Sequence, residues 1–159
     1  MNNGTSHLIL LRDTTPEDEQ FLRAVYASTR AEELARVPWT AEQKSAFLDM
    51  QFNAQDIHYR QHYPAAQYSI IEAEGAPAGR LYVHRCEKEI RIIDIALLPA
   101  YRRAGIGTRL LCELQDEACT TGKALSIHVE KFNPALRLYH RLGFQQIEDR
   151  GMYLFLQWR

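Results

Sequence analysis

A chain of 159 residues has the length of one domain, residues 1–159, with an ordered core expected from about residue 7 onward. Hydrophobic residues make up 46% and aromatics 10%, which excludes a disordered or collagen-like chain. The 19 Lys+Arg against 20 Asp+Glu argue against a nucleic-acid binder, which is usually basic. No apolar run approaches the roughly 20 residues of a membrane helix, so no membrane partner is expected. Polar, uncharged Met1–Ser6 is not a signal peptide. Cys86, Cys112 and Cys119 lack metal-ligand spacing and read as free thiols of a reducing, cytoplasmic compartment.

His7–Leu11 reads as a first strand. Thr15 caps a helix with Pro16 at its first position and Glu17, Asp18 and Glu19 at its positive end. Phe21, Leu22, Val25 and Tyr26 form its apolar stripe, and Val37-Pro38 ends it. Thr40 caps a second helix to about Tyr63, with Phe47, Met50, Ala54 and Ile57 expected inward. Strands follow at Tyr68–Ile71 and Gly79–Arg85, joined as a hairpin across Gly75-Ala76-Pro77, and at Ile90–Leu98. Gly105–Thr121 is an amphipathic helix, with Ile106, Leu110, Leu114 and Ala118 inward and Gly122 closing it. Leu125–Glu130 is a strand, and Asn133–Leu142 a helix with Pro134 at its first position. A strand near Gln145–Glu148 and a final one through Met152, Leu154, Leu156 and Trp158 complete the chain. The expected fold is mixed α/β: a sheet of six to seven strands, ordered β-αα-βββ-α-β-α-β, with helices on both faces.

The stretch Ile90–Leu111 carries the first chemical signal. A buried strand stops at Pro99, and Arg102-Arg103-Ala104-Gly105-Ile106-Gly107-Thr108 opens a helix. Free amides and the helix dipole make such a start an anion site, and the glycines let a phosphate approach the backbone. A P-loop is excluded, because Gly107 is followed by Thr108-Arg109 and not by Lys-Ser/Thr. A dinucleotide fold fits poorly: the third glycine place holds Leu110, and only about 30 residues follow Glu130.

The second stretch is Ser126–Phe144. Arg102-x-x-Gly105-x-Gly107, together with Asn133 and Leu138-Tyr139-x-x-Leu142-Gly143-Phe144, resembles the GCN5-related N-acetyltransferases (GNAT), with an element order that fits from His7 to Trp158. The resemblance implies acetyl transfer from acetyl-CoA, with no metal, to a primary amine attacking directly in a ternary complex. It places the pyrophosphate at Arg102, Arg103, Ala104, Gly105, Ile106, Gly107 and Thr108. It sets the pantetheine arm against the backbone of Ile95, Ala96 and Leu97, in a splay between two strands, with Asn133 bonding to that arm. It makes Tyr139 the acid that protonates the departing thiolate. Asn133 and Tyr139 stand six apart, where many relatives show seven. The resemblance also makes a homodimer a common arrangement.

Three groups compete for the role of base. His128 occupies a strand position where some relatives carry Glu, and imidazole titrates near neutrality. Asp94 is a carboxylate inside an Ile/Leu-rich strand, which must be paired or carry a raised pKa. Glu130 is the third. His58 and His62 share a helix face, but no third metal ligand lies near them in sequence. Gln55, His58, Tyr59 and Tyr63 are expected to line the acceptor side. Residues 1–75 hold 11 acidic and 6 basic residues, and 76–159 hold 9 and 13, a split of −5 against +4 that points to a cationic acceptor beside an anionic cofactor. The alternative is a CoA-binding sensor of the same fold without efficient catalysis.

Overall fold

The computed structural model describes residues 8–159. Met1–Ser6 and His7, read above as a polar start and the first strand residue, lie outside the described residues. The elements are β1 (Ile9–Asp13), α1 (Glu19–Ala35, entered through a 3-10 turn at Pro16–Asp18), α2 (Ala41–His62), β2 (Gln67–Ala73), β3 (Ala76–Arg85), β4 (Glu89–Leu97), α3 (Ile106–Thr121), β5 (Ala124–Glu130), α4 (Leu136–Arg141), β6 (Gln145–Arg150) and β7 (Tyr153–Trp158). Seven strands form one sheet in the order β1-β2-β3-β4-β5-β7-β6. Every pairing is antiparallel except β4 with β5, whose parallel alignment needs the long crossover that α3 provides.

Alternation along the strands sends side chains to two cores. On one face Leu81, Val83, Ile90, Ile92, Leu125, Ile127 and Val129 pack with Ile106, Leu110 and Leu114 of α3 and with Tyr139 and Phe144. On the other, Tyr68, Ile70 and Tyr82 pack under Leu22 and Tyr26 of α1 and Phe52 of α2. Helices therefore cover both faces, as expected. Leu22, Val25 and Tyr26 of the α1 stripe are buried.

Two expectations need correction. The buried face of α2 is not the stripe through Met50, Ala54 and Ile57, which are exposed; it runs through Leu48, Phe52, Gln55 and Tyr59. Two polar members of that face, Gln55 and Tyr59, are inside because they hold a buried ion pair described below. The short helix does not begin at Asn133. The Asn133 side-chain oxygen accepts from the Ala135 N–H at 2.9 Å, making a turn that delays α4 to Leu136.

Where β4 and β5 part, two features act together. The register between β3 and β4 slips at Tyr82/Val83, so that Val83 faces Ile92 and Tyr82 faces Asp94, leaving Ile93 as a bulge. Pairing of β4 with β5 ends at Ile92–Ile127. Gly79 then holds the end of β4 tight against β3, because any Cβ there would run into the Ala96 carbonyl oxygen. Beyond Ile92, β4 stays with β3 and leaves β5, and its 93–97 backbone faces a cleft.

Candidate active site

The cleft runs straight into the start of α3. After Leu97 a 3-10 turn at Pro99–Tyr101 turns the chain, and Gly105, at φ 82°, enters α3 in the left-handed region that suits glycine. No side chain caps this helix and no acidic residue occupies its first turn, so the amides of Ile106, Gly107 and Thr108 keep their anion-binding capacity. A Cβ on Gly105 meets nothing within 4 Å, and one on Gly107 only Leu138 Cδ2 at 4.0 Å. Side chains at these two positions would fill open space beside the helix start. Arg103 is exposed, while Arg102 donates to the Leu97 carbonyl at 2.9 Å and to Ser28 Oγ of α1 at 3.3 Å.

The C-terminal half of α1 bridges the two lips of the cleft. Ser28 meets Arg102 beyond β4, and Arg30 grips Glu130 at the end of β5 with bonds of 2.8 and 3.2 Å. The hydrogen bond to Glu130 holds the Arg30 guanidinium above its ordinary range. Tyr139 approaches from the opposite face, is 3% exposed and lies edge-on to Phe144 at 5.7 Å. Burial raises its phenol above the usual value, and the charge of Asp94 adds to that rise. Tyr139 extends from α4 into the core on the α3 side of the sheet, and Asp94 lies on the α2 side.

Asp94 sits in a polar knot. Arg80 of β3, 3% exposed, directs Nη2 to Asp94 Oδ2 and, at 2.8 Å, to Gln55 Oε1. The Tyr59 hydroxyl donates to the same Oδ2 at 3.4 Å. Burial and the Asp94 charge together push the Tyr59 phenol well above its ordinary value. Oδ1 has no hydrogen-bond partner among the described residues. Two surface hollows, of about 160 and 320 Å³, lie elsewhere: one between β1–β3 and α3, the other around Lys88, Cys119 and Trp158. Tyr59, Arg80, Asp94 and Tyr139 line neither hollow.

The profile of the Acetyltransferase (GNAT) family matches residues 28–144, from the middle of α1 through Phe144. The chain belongs to the GNAT family. An uncharacterised N-acetyltransferase of Schizosaccharomyces pombe is 39% identical over 75 residues, covering 46% of this chain and 51% of that protein. The chain thus spans about half the length of that relative. The PaiA N-acetyltransferase of Thermoplasma acidophilum, solved with coenzyme A, superposes with a TM-score of 0.69 at 16% identity, over 94% of this chain and 98% of that one. An acetyltransferase of Thermus thermophilus gives 0.68 at 17% identity, over 96% and 99%. Both share the GNAT fold.

Against that GNAT frame the sequence-derived residues divide clearly. Residues 95–97 lie on β4 beyond its pairing with β5, the Arg102–Thr108 loop leads into α3, Asn133 lies in the turn before α4 and Tyr139 on α4. The candidate bases are each engaged. Glu130 is taken by Arg30 and Asp94 by Arg80. His128 stacks on Phe155 at 4.9 Å, and its Nε2 lies 2.6 Å from Arg150 Nη1. Burial, then Arg91 and Arg150, hold that imidazole below its usual value, so it is neutral at pH 7. Of the four expected acceptor-side residues, Gln55 and Tyr59 join the knot, while Tyr63 packs on His84 at 5.3 Å. His58 is exposed, with His62 4.0 Å away, and no group of three His, Cys, Asp or Glu that could hold a metal occurs among the described residues. Cys86 lies in the β3–β4 turn and Cys112 and Cys119 on α3, away from Tyr139, and all three are free thiols. No helix among the described residues is long and apolar enough to cross a membrane.

Sequence reasoning missed Arg80. The signal was present: a lone charge in the apolar run Gly79-Arg-Leu-Tyr-Val requires a buried partner, as Asp94 does. Only the β3–β4 register makes the two diagonal neighbours. Arg30 was missed too, because its partner Glu130 lies 100 residues away.

Proposed function

We propose that the chain moves an acetyl group from acetyl-CoA to a primary amine, the amine attacking the thioester directly. The observation that carries this reading is the divergence of β4 from β5 at Ile92–Ile127, which leads straight to an uncapped helix start. A pantetheine arm, which carries amide groups, fits such a cleft as an added strand against 95–97, and its diphosphate fits the amides of 105–108. Arg103 supplies charge there, and Arg102 does so once it releases the Leu97 carbonyl. The Asn133 oxygen is held by its own turn, so its side-chain nitrogen is the end that donates to the arm.

In the reaction the nitrogen lone pair forms the C–N bond, the C–S bond breaks, and its electron pair goes to sulfur. Tyr139 hydrogen-bonds to the sulfur and supplies its proton. Its raised pKa keeps the phenol protonated throughout the working pH range, so it is always a donor. The amine loses one proton, to one of the three candidate bases or to water.

The engagement of all three candidate bases by arginine favours one second reading, a CoA-binding sensor without efficient chemistry. Calorimetry with acetyl-CoA, followed by turnover over a panel of small amines, amino acids, aminoglycosides and peptides, separates the two. Binding with turnover supports the transferase, and binding with none supports the sensor. Absence of binding rejects both. Protein of either kind acts without nucleic acid or a membrane, and sedimentation determines whether it is a homodimer.

A further inference from the structure

We propose that the hollow around Lys88, Cys119 and Trp158 is a second ligand site, separate from the cleft, and that it takes a small aromatic anion such as an aryl phosphate. The proposal does not depend on the acetyl-transfer reading. The hollow, of about 320 Å³, opens where α3 ends and β4 and β5 begin, beside the last residues of β7. Three observations carry it. First, its charge is of one sign. Lys88, Lys123 and Arg159 line it, no acidic residue does, and none of the three cations has an ion pair among the described residues. By contrast Arg23, Arg60, Arg85 and Lys131 each hold a carboxylate. Setting the Arg159 guanidinium against a backbone carboxylate on the same residue still leaves two ammoniums. Second, α3 does not need these lysines. Its last carbonyls are met by backbone: the Gly122 N–H donates to Cys119 at 3.3 Å and the Lys123 N–H to Ala118 at 2.9 Å. The helix dipole contributes roughly half a negative charge there, which two ammoniums outweigh. Third, one wall is an ordered aromatic. Trp158 packs against the main core, pairs with Leu125 in the sheet, and lies so close to Gly143 that a Cβ there would come within 3.3 Å of its Nε1. An indole held by the core and bordering a hollow is a stacking surface that needs no further ordering.

The ligand class follows from the lining. Two ammoniums, each a compact charge with three donors, suit a phosphate approached from more than one side. The indole, Ala118 and Ala124 suit a flat apolar body. The volume lies at the low end for ligand pockets, which start at about 300 Å³, and so fits a single small ring system. From residue 107 to residue 122 the α3 axis runs about 22 Å, so this site and the helix start of the cleft fill independently. Cys119 is an exposed free thiol in the lining and reports occupancy without being needed for it.

The test uses the intact protein carrying Trp39→Phe, which leaves Trp158 as its one indole. Phenyl phosphate is the probe; inorganic phosphate lacks the ring and benzyl alcohol lacks the charge. Phenyl phosphate should change the Trp158 fluorescence saturably and should bind more weakly as salt is raised. It should bind about tenfold or more tightly than either control, and Lys88→Met combined with Lys123→Met should remove about that factor, the loss expected for hydrogen bonds to a charged group. It should also slow alkylation of Cys119 by iodoacetamide, read by peptide mass, while the exposed Cys86 reacts as before. Saturating acetyl-CoA should leave its affinity unchanged. Lysines that only complemented the end of α3 would lower the melting temperature when replaced and leave the probe's affinity where it was. No saturable change, equal affinity for inorganic phosphate, unchanged affinity in the lysine variant, or equal protection of Cys86 and Cys119 overturns the proposal. Displacement of phenyl phosphate by acetyl-CoA assigns the probe to the cleft and overturns it as well. A protein that binds phenyl phosphate in this way but not acetyl-CoA upholds this site and rejects only the acetyl-transfer reading.

Discussion

Tyr139 shows how much one side chain's setting determines its chemistry. A phenol in water would be a moderate acid near pKa 10, but burial in the core and the charge of Asp94 raise it further. A higher pKa keeps the phenol protonated, and so able to donate, at every working pH. Tyr139→Phe retains the ring and its edge contact with Phe144 and deletes only that donor. Its kcat should fall about 10²-fold, with the acetyl-CoA dissociation constant little changed. The pH profile of wild type should show no limb below pH 10 assignable to this phenol. A kcat within twofold of wild type in the Phe variant would mean that the thiolate leaves unaided or that water protonates it. His128 offers the contrasting case at the same scale. Arg150 directs a guanidinium N–H at its Nε2, so that nitrogen is the acceptor and the neutral ring carries its proton on Nδ1. His128→Gln should leave the pH 6–8 limb of kcat intact if the imidazole only packs on Phe155, and flatten it if the imidazole takes the amine proton.

At the scale of elements, the glycine-rich entry to α3 was legible and the buried polar pairs were not, for a physical reason. The start of α3 is written locally: strand, Pro99, two arginines, two glycines and an amphipathic helix follow one another within about 20 residues. The polar pairs are assembled from α1, α2, β3, β4 and β5, so Arg80 with Asp94 and Arg30 with Glu130 span 14 and 100 residues. The α2 stripe failed for a related reason. Its hydrophobic residues occur all around the helix, and Gln55 and Tyr59 are drawn inside by Arg80 and Asp94, which no periodicity records. The strand divergence itself depends on the Ile93 bulge and on Gly79, and it suggests a clean pair of variants. Gly107→Val adds a side chain in open space at the helix start, without backbone strain. It should bind acetyl-CoA at least tenfold more weakly with an unchanged or slightly raised melting temperature, since valine forms helix better than glycine. Gly79→Ala instead pushes the Ala96 carbonyl aside and should lower the melting temperature and the acetyl-CoA affinity together. Gly107→Val with wild-type affinity would remove the diphosphate from this loop.

For the whole molecule, the charge split is partly spent on cohesion. Among the acidic residues of the first 75, Asp18 and Glu72 pair with Arg12, Glu19 and Asp49 with Arg23, Glu33 with Arg30 and Asp56 with Arg60. Pairing leaves the net of −5 in place but spreads it as dipoles over α1 and α2. Steering of a cationic amine should therefore be modest, with kcat/KM falling as salt rises through the range where the Debye length drops below about 10 Å. Acid should reveal the cohesive role more sharply. Asp18 accepts 2.9 and 2.8 Å bonds from Arg12 and one of 2.8 Å from the Thr15 N–H, tying β1 to the entry of α1. The Arg12 bonds hold its carboxyl down to about 2, against about 3.9 in an unfolded chain. The folded state thus binds fewer protons than the unfolded one between these values, so its stability is complete above about pH 4 and is lost as pH falls toward 2. His128 acts earlier with the same sign. Its folded pKa lies below the unfolded value of about 6.5, so stability begins to decline as pH drops through that point. Melting temperature measured from pH 8 to pH 2 should fall in two stages. Asp18→Asn should flatten only the stage below pH 4, and His128→Gln only the one below pH 6.5. Overlapping curves for Asp18→Asn and wild type below pH 4 would show that the Arg12–Asp18 tie does not hold β1 to α1.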